Sequence, residues 1–435
     1  MEINTEKKYD IVIVGGNLFS SQIAIQLAQT KLNILLISSK DFSDTEENYF
    51  INISRFSNKN EYDSFYSCFS HSIIPAAIYN LNKTNLVDGF SKELQSFIRK
   101  KVLSKKQFKQ IETKINLDNK TSVTLEQAFK INYPRLCIDT LKTAKSIGVD
   151  IFTYAEIKEI KEKKIIFSSG NEINAELIIN TDFNFLDENF KNQVLIKKSS
   201  FFTVPKFALN INNPLRIRTK NQINIIPYFS EIFINSNENE ESKSIIEKIK
   251  LTTGFQINKD IIITEQIISN LSSNIIYDNN KNLNIFESDF SLFKEKINEV
   301  LSEISKILSI NKFQYKEFKI STSFDIQADK HNFIRMLEAR YLQVQETGIT
   351  PNEYTVLFYR YGNDLEKIIE KAYDFYNDKE TRKNAWLYAE LWYSINYEFV
   401  KTTEDFIYRR TDFGLINQLD KEKREIISNF IGNAR

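Results

Sequence analysis

The sequence predicts an α/β opening, an antiparallel β middle and an all-helical end. Three observations carry this. Tyr9–Val14 is an apolar run closed by Gly15-Gly16, and Ile23, Ala24, Leu27 and Ala28 then recur at helical spacing before the NILLI run at 33–37. Such a βαβ opening implies parallel strands. Residues 195–275 alternate short strand-like runs (INIIPYF, EIFIN, DIIIT) with turns, as an antiparallel sheet requires. From about residue 325 onward the pattern is helical, with aromatics at helix spacing.

Between these landmarks, residues 49–118 read as mixed and largely helical. A helix is expected from Arg135 to Ser146, stopped by Gly148. Short strands follow near 150–154, 157–160 and 164–168, and Ser169-Gly170-Asn171 turns the chain into a hairpin. Leu177-Ile178-Ile179-Asn180 reads as another buried strand. Phe293, Ile297, Val300, Leu301, Ile304 and Leu308 form one helical stripe. No internal repeat, low-complexity tract or long linker interrupts the chain.

Composition narrows the function. The net charge of +1 provides no field for nucleic acid or an acidic partner. No apolar run reaches the ~18 residues a membrane span needs, and no apolar leader precedes the first strand, so a cytoplasmic location is expected. Cys68 and Cys137 lack metal-ligand spacing and are expected to stay reduced. With His71 and His331 the only histidines, a His-rich metal or relay site is excluded. The chain has 10 glycines, where average usage gives roughly 30. Codon bias lowers glycine generally, but it should spare positions where a ligand must lie against bare backbone.

The segment AELWYSINYEFVKTTEDFIYRRTDFGL, residues 389–415, resembles the C-terminal helical domain of FAD-dependent glycerol-3-phosphate dehydrogenases and oxidases. The shared pattern is Tyr397-Glu398-Phe399, the step from Thr402 to Asp405, and Arg409-Arg410-Thr411. Upstream, Tyr361-Gly362 in LFYRYGNDLEKII matches, and LLISSKDF and PRLCIDTLKTAKSIGVDIF fall in the family's order. The resemblance implies a Rossmann-type FAD/NAD(P)-binding domain (1–195 and 276–320, with 49–118 as a helical insertion). It also implies an antiparallel substrate cap (196–275) and a C-terminal helical domain (321–435). The implied reaction takes a hydride from C2 of glycerol 3-phosphate to FAD, giving dihydroxyacetone phosphate, with electrons then passing to quinone or oxygen. It further implies a peripheral place on the inner face of the cytoplasmic membrane.

Set against that resemblance, the cofactor positions have changed. Gly15 and Gly16 are the cofactor-binding candidates, but the next two fingerprint glycines are Asn17 and Ser20. Those glycines admit the pyrophosphate and a closely packed helix. Asn17 puts an amide where phosphate oxygens belong, whereas Ser20 is small enough to absorb. The acid that grips the ribose is replaced by Ser38. A charge-assisted hydrogen bond of roughly 1.5–3 kcal/mol is thereby lost, about 10- to 100-fold in affinity. Asp41 matches a different position and reads as a solvated turn residue. The segment SDTEENYFINISRF has no glycine or histidine and carries three acids. Phe183 stands where the resemblance places a glycine, and Glu287, Ser288 and Asp289 replace a Gly-Gly-Lys run. Ser288 or Asp289 suits a helix cap instead.

On the substrate side, Ser269 and Asn270 occupy the positions of a phosphate-binding Arg-Pro pair. Arg216, Arg218 and Lys220 alternate as one solvated strand face would. His71 and His331 match no catalytic position, and Arg409-Arg410 with Glu398 and Asp405 read as a structural ion network. No catalytic residue or metal ligand is assigned. The expectation is a diverged family member that keeps the architecture, has lost FAD and substrate binding, and acts by interaction or regulation. Its partner would be an intact relative or a second copy of itself. The alternative is an active flavoenzyme with altered cofactor loops. A different ligand in the emptied cavity is a third reading, and the sequence does not name it.

Overall fold

The computed structural model describes residues 7–43, 51–54, 68–69, 71–82, 101–115, 117, 121–209, 211–218, 221–310, 313–323, 330–414 and 419–434. Lys220 and most of the SDTEENYFINISRF segment lie outside these residues.

Strand β1 (Tyr9–Val14) leads through Gly15-Gly16 into α1 (Leu18–Ala28), and β2 (Ile34–Ile37) returns parallel to β1. The chain then supplies β3 (Ile51–Ser54), β4 (Ile73–Asn82), β5 (Lys101–Leu103), α2 (Lys105–Ile111) and β6 (Ser122–Asn132). Next come α3 (Tyr133–Ser146), β7 (Asp150–Phe152), β8 (Ile157–Lys161), β9 (Lys164–Phe167) and β10 (Glu172–Asn180). Five strands follow: β11 (Leu195–Pro205), β12 (Leu215–Arg218), β13 (Gln222–Tyr228), β14 (Glu231–Ser236) and, after α4 (Ser242–Thr253), β15 (Thr264–Ser272). The short β16 (Ile276–Tyr277) and β17 (Leu283–Asn284) precede α5 (Phe293–Ile307). The last part holds α6 (Lys330–Val344), α7 (Pro351–Tyr361), α8 (Leu365–Asn377), α9 (Ala385–Tyr397), a five-residue π-helical segment Phe406–Arg410 and α10 (Lys421–Asn433).

The first sheet runs β16-β17-β10-β1-β2-β7, with β17, β10, β1, β2 and β7 mutually parallel and the β8–β9 pair extending from β10. It is buried on both faces, so its strands are continuously apolar rather than alternating. Ile11, Ile13, Leu36 and Ile179 face a core with α1, α3 and α5. Val12, Val14, Leu35, Ile37 and Ile178 face a second core closed by Ile165, Phe167 and Ile173 of the β8–β10 segment.

The second sheet runs β15-β11-β14-β13-β12-β4-β6-β3, with β5 on β6. The expected helical insertion at 49–118 is corrected here: its described part supplies β3, β4 and β5, with only α2 as a full helix. The cap sheet therefore draws on two separate stretches of sequence, joined where β12 pairs parallel to β4. One face is dry, with Leu81, Ile217, Ile225 and Ile234 packed on Phe108, Ile245 and Ile249. The opposite face carries a smaller apolar cluster around Ile226 and Phe233, and Tyr408 of the π-helical segment packs there.

Helices α7, α8 and α9 enclose a further core around Tyr354, Tyr361 and Tyr393. The expected helix stop at 148, the 169–171 turn and the all-helical end appear as read. Among the described residues, no helix is long and apolar enough to cross a membrane.

Candidate functional site

A dinucleotide in a fold of this kind would lie across the ends of β1, β2 and β10, against the first turn of α1. Here those three ends are tied to one another. Gly15 has φ +132°, and a Cβ there would overlap Thr181 Oγ1 just beyond β10. The Thr181 hydroxyl donates to the Val14 carbonyl at 3.0 Å. A Cβ on Gly16 would come within 2.5 Å of Ser38 Oγ and 3.2 Å of the Asp41 carbonyl. Both glycines are thus required by the chain's own packing.

Asn17 is the N-cap of α1. Its Oδ1 accepts from Ser20 N at 2.8 Å, and its Nδ2 donates to the Thr181 carbonyl at 3.2 Å. The side chain expected to crowd a phosphate instead serves as a cap and a tie. Ser20 is absorbed, donating to the Gly15 carbonyl at 3.0 Å. Ser39 Oγ donates to Asp182 Oδ2 at 3.3 Å, linking the loops after β2 and β10 across the mouth. Phe183 packs edge-on against Phe286, with ring centroids 5.9 Å apart. It anchors the loop after β10 within an apolar cluster.

Asp41 requires a correction. It is 2% exposed rather than solvated. Arg410 meets it with both terminal nitrogens at 2.7 Å, and Arg409 Nε adds a bond at 2.6 Å. Arg410 Nε also donates to the Glu398 carbonyl at 2.8 Å, and Arg409 Nη2 to Asp405 Oδ1 at 2.7 Å. The ion network expected at Arg409-Arg410 is present, and its central acid comes from the loop after β2.

A second buried network lies beside it, and the sequence reading missed it. Arg135 of α3 bonds Asp139 Oδ1 at 2.9 Å and Glu398 Oε1 at 2.7 Å. His71 Nε2 lies 3.0 Å from Asp139 Oδ2. Lys142 reaches Asp364 at 2.7 Å, just before α8. Burial pushes the Asp139 carboxyl up, but Arg135 and His71 outweigh it and hold it well below the usual carboxylate range. The i, i+4 pair Arg135/Asp139 was the available signal. Gly362 lies at this junction with φ +54°, where a Cβ would overlap the Thr322 carbonyl and sit 2.8 Å from His71 Nδ1. The backbone of His331 lies in α6, far along the chain from His71.

The segment at 286–292 makes a cap, as expected. Asp289 Oδ1 accepts from Ser291 N at 3.0 Å at the head of a 3₁₀ turn leading into α5. Ser288 is instead bonded to β15, its Oγ accepting from Leu271 N at 2.9 Å. Glu287 is 5% exposed. Burial first, then the Asp289 charge, raises its pKa.

Between this segment and the cap sheet lies a polar cleft of about 560 Å³. Asn270 lines it, with Nδ2 donating to Ser199 Oγ at 2.8 Å. Ser269 pairs with Lys198 in the β11–β15 ladder. The solvated-strand reading of Arg216 is also corrected, for Arg216 lines the cleft and is 3% exposed. Among the described residues no group of His, Cys, Asp and Glu could hold a metal.

Two comparisons define the class. Over 99% of the chain, the fold matches the glycerol-3-phosphate dehydrogenase of Bacillus halodurans solved with FAD, covering 95% of that chain at TM-score 0.77 and 16% identity. The L-α-glycerophosphate oxidase of Mycoplasma pneumoniae with FAD bound matches at TM-score 0.55 and 11% identity, over 72% of this chain and 98% of that one. The glycine oxidase of Geobacillus kaustophilus matches at TM-score 0.54 and 10% identity, over 73% and 99%. The chain therefore shares the fold of these three structures. Residues 330–429 match the family model described as the C-terminal domain of alpha-glycerophosphate oxidase. That domain stands on the fold shared with the glycerol-3-phosphate dehydrogenase and the glycerophosphate oxidase. No curated protein matches it in sequence.

The residues at this cradle do not fit the FAD that those two structures carry. The glycine turn is packed by Thr181 and Ser38, the head of α1 is capped by Asn17, and the nearby Asp41 carboxylate is committed to two arginines. Asp289 stands where the resemblance places a lysine.

Proposed function

We propose that this chain is a non-catalytic family member that has given up FAD and keeps its architecture for interaction or regulation. It would pair with an intact relative or with a second copy of itself. The observation that carries this reading is the tied cradle at Gly15 and Gly16. There the chain's own Thr181, Ser38 and Asn17 take the contacts that a diphosphate would need. Charge points the same way, because Asp182 and Asp289 stand at positions where an anionic ligand needs donors or cations. The buried ion networks explain why the C-terminal domain persists without chemistry, since they hold it to α3 and to the loop after β2.

The test is the colour and melting behaviour of the purified protein. It should show no flavin absorbance, and added FAD should leave its Tm unchanged. A ligand present at a hundredfold excess over its Kd would stabilise the fold by about 2.7 kcal/mol. Flavin bound near one per chain would overturn the proposal and restore an active dehydrogenase.

A further inference from the structure

Away from the cradle and the polar cleft, a cavity of about 650 Å³ lies where the β13–β14 hairpin meets the C-terminal domain. A cavity of this size suits a small organic molecule. The hairpin tip supplies Phe229, whose ring centroid is 6.2 Å from that of Tyr359 on α7. Lys206 sits beside the tip, its backbone N–H donating to the Ser230 carbonyl at 2.9 Å. Another part of the wall is Trp386 in the first turn of α9, with Arg382 just before that helix. Trp386 is held in place, its Nε1 donating to Thr347 Oγ1 at 2.8 Å. No other aromatic ring among the described residues stacks on it, so the indole lines the cavity without a ring partner.

The charges around this cavity do not balance. Five cations and three acids line it, and the acids are all engaged. Glu390 and Asp412 hold Arg360 at 2.6 and 2.5 Å, and Glu353 Oε2 accepts from Thr350 N at 2.9 Å in the cap of α7. Burial raises the Glu390 pKa, which lightens the negative charge there. Lys383 is answered by Glu422 at 2.8 Å. Lys206 and Arg382 have no carboxylate partner among the described residues. Arg382 is nevertheless oriented: Nε donates to the Tyr376 carbonyl at 2.8 Å, and the guanidinium lies over the Tyr376 ring, 5.1 Å from its centroid. Its terminal nitrogens keep the planar fork that suits a carboxylate or phosphate. We infer that this cavity binds a planar aromatic anion, its ring stacked on Trp386 and its acid group held by Arg382 and Lys206. The bound molecule touches both the cap hairpin and the C-terminal domain, so occupancy tightens their contact. No bond is made or broken. Gly15, Gly16 and the residues that tie them do not line this cavity, so the inference does not depend on whether flavin is bound.

The experiment is calorimetric titration of the full chain with benzoate and with adenosine monophosphate, which separate a carboxylate source from a phosphate source. Cyclohexanecarboxylate, which lacks the planar ring, and adenosine, which lacks the anion, are their matched probes. At least one aromatic anion should bind at one per chain, about ten-fold or more tighter than its matched probe. Binding should change the tryptophan emission, and Trp386→Phe should abolish that change while Trp392 still emits. Arg382→Met and Lys206→Met should each weaken the anion about ten-fold and leave the Tm of the free protein unchanged, because neither cation holds a carboxylate. No heat from either aromatic anion would overturn the inference. So would a matched probe binding as tightly as its aromatic anion, or binding without a change in tryptophan emission. Equal binding by the parent and Arg382→Met would also overturn it, since an anion lodged at the Gly15 cradle would ignore that substitution.

Discussion

Asp41→Asn is the substitution that most directly probes how the C-terminal domain is held. The carboxylate accepts three bonds from Arg409 and Arg410, and Arg410 is fully buried. Asparagine keeps one acceptor oxygen and turns an amide N–H₂ toward a guanidinium, leaving a buried cation without its counter-charge. Removing one partner of a buried ion pair costs about 3–5 kcal/mol. For domains of this size that is a Tm loss of roughly 6–20 °C. Thermal melting and urea unfolding of the whole chain give the measurement. Arg410→Met should cost a similar amount. The double variant should cost less than the sum of the two, by about 0.5–3 kcal/mol, because both substitutions break the same contact. The loss should change little with salt, since screening acts weakly on buried pairs. If Asp41→Asn melts within the scatter of the parent, the network does not hold the domains together.

Other outcomes follow from the same geometry. Gly362→Ala should destabilise by about 1–3 kcal/mol from backbone strain. A further cost comes from overlap with the Thr322 carbonyl, a backbone atom that cannot rotate away, and melting would register the sum. Burial raises the Asp364 carboxyl, but Lys142 more than reverses this and brings it down to about 2. Its contribution is therefore present above the ordinary carboxylate pKa and is lost as pH falls from about 4 toward 2. Asp364→Asn should flatten that limb of the acid unfolding curve. Glu231 behaves oppositely. Burial, and then Asp412, push its carboxyl up to about 7. Folding then favours the protonated form, so stability declines as pH rises through the window from about 4.5 to 7. Glu231→Gln should remove that decline in a pH series of melts.

The sequence made some features legible because they are local. The β1–turn–α1 unit, α3 with its stop at Gly148 and the hairpin at 169–171 each declare themselves within a dozen residues. The cap at Asp289 was readable for the same reason. The strands at 73–82 and 122–132 were not, because their partners lie some 50 residues apart and their burial is uneven, which blurs the period-two pattern. Asp41 was misread because its counter-ions lie 368 and 369 residues away in sequence. Arg216 was misread because alternation with Arg218 on one strand cannot say which face is sealed. Asn17 was half readable. Its misfit with a phosphate was plain, and an asparagine three residues before Ser20 is also an N-cap pattern.

The pairing of β12 with β4, and of β17 with β10, bears on how the chain is made. Neither sheet can close from the first 200 residues alone, since each waits for a strand supplied later. On the ribosome, the edge of β4 must stay open until residues 215–218 have emerged, and the edge of β10 until residues 283–284 have. Shortened fragments ending before that point should aggregate rather than fold. Splitting the protein at a sequence boundary between cofactor domain and cap would leave two incomplete pieces.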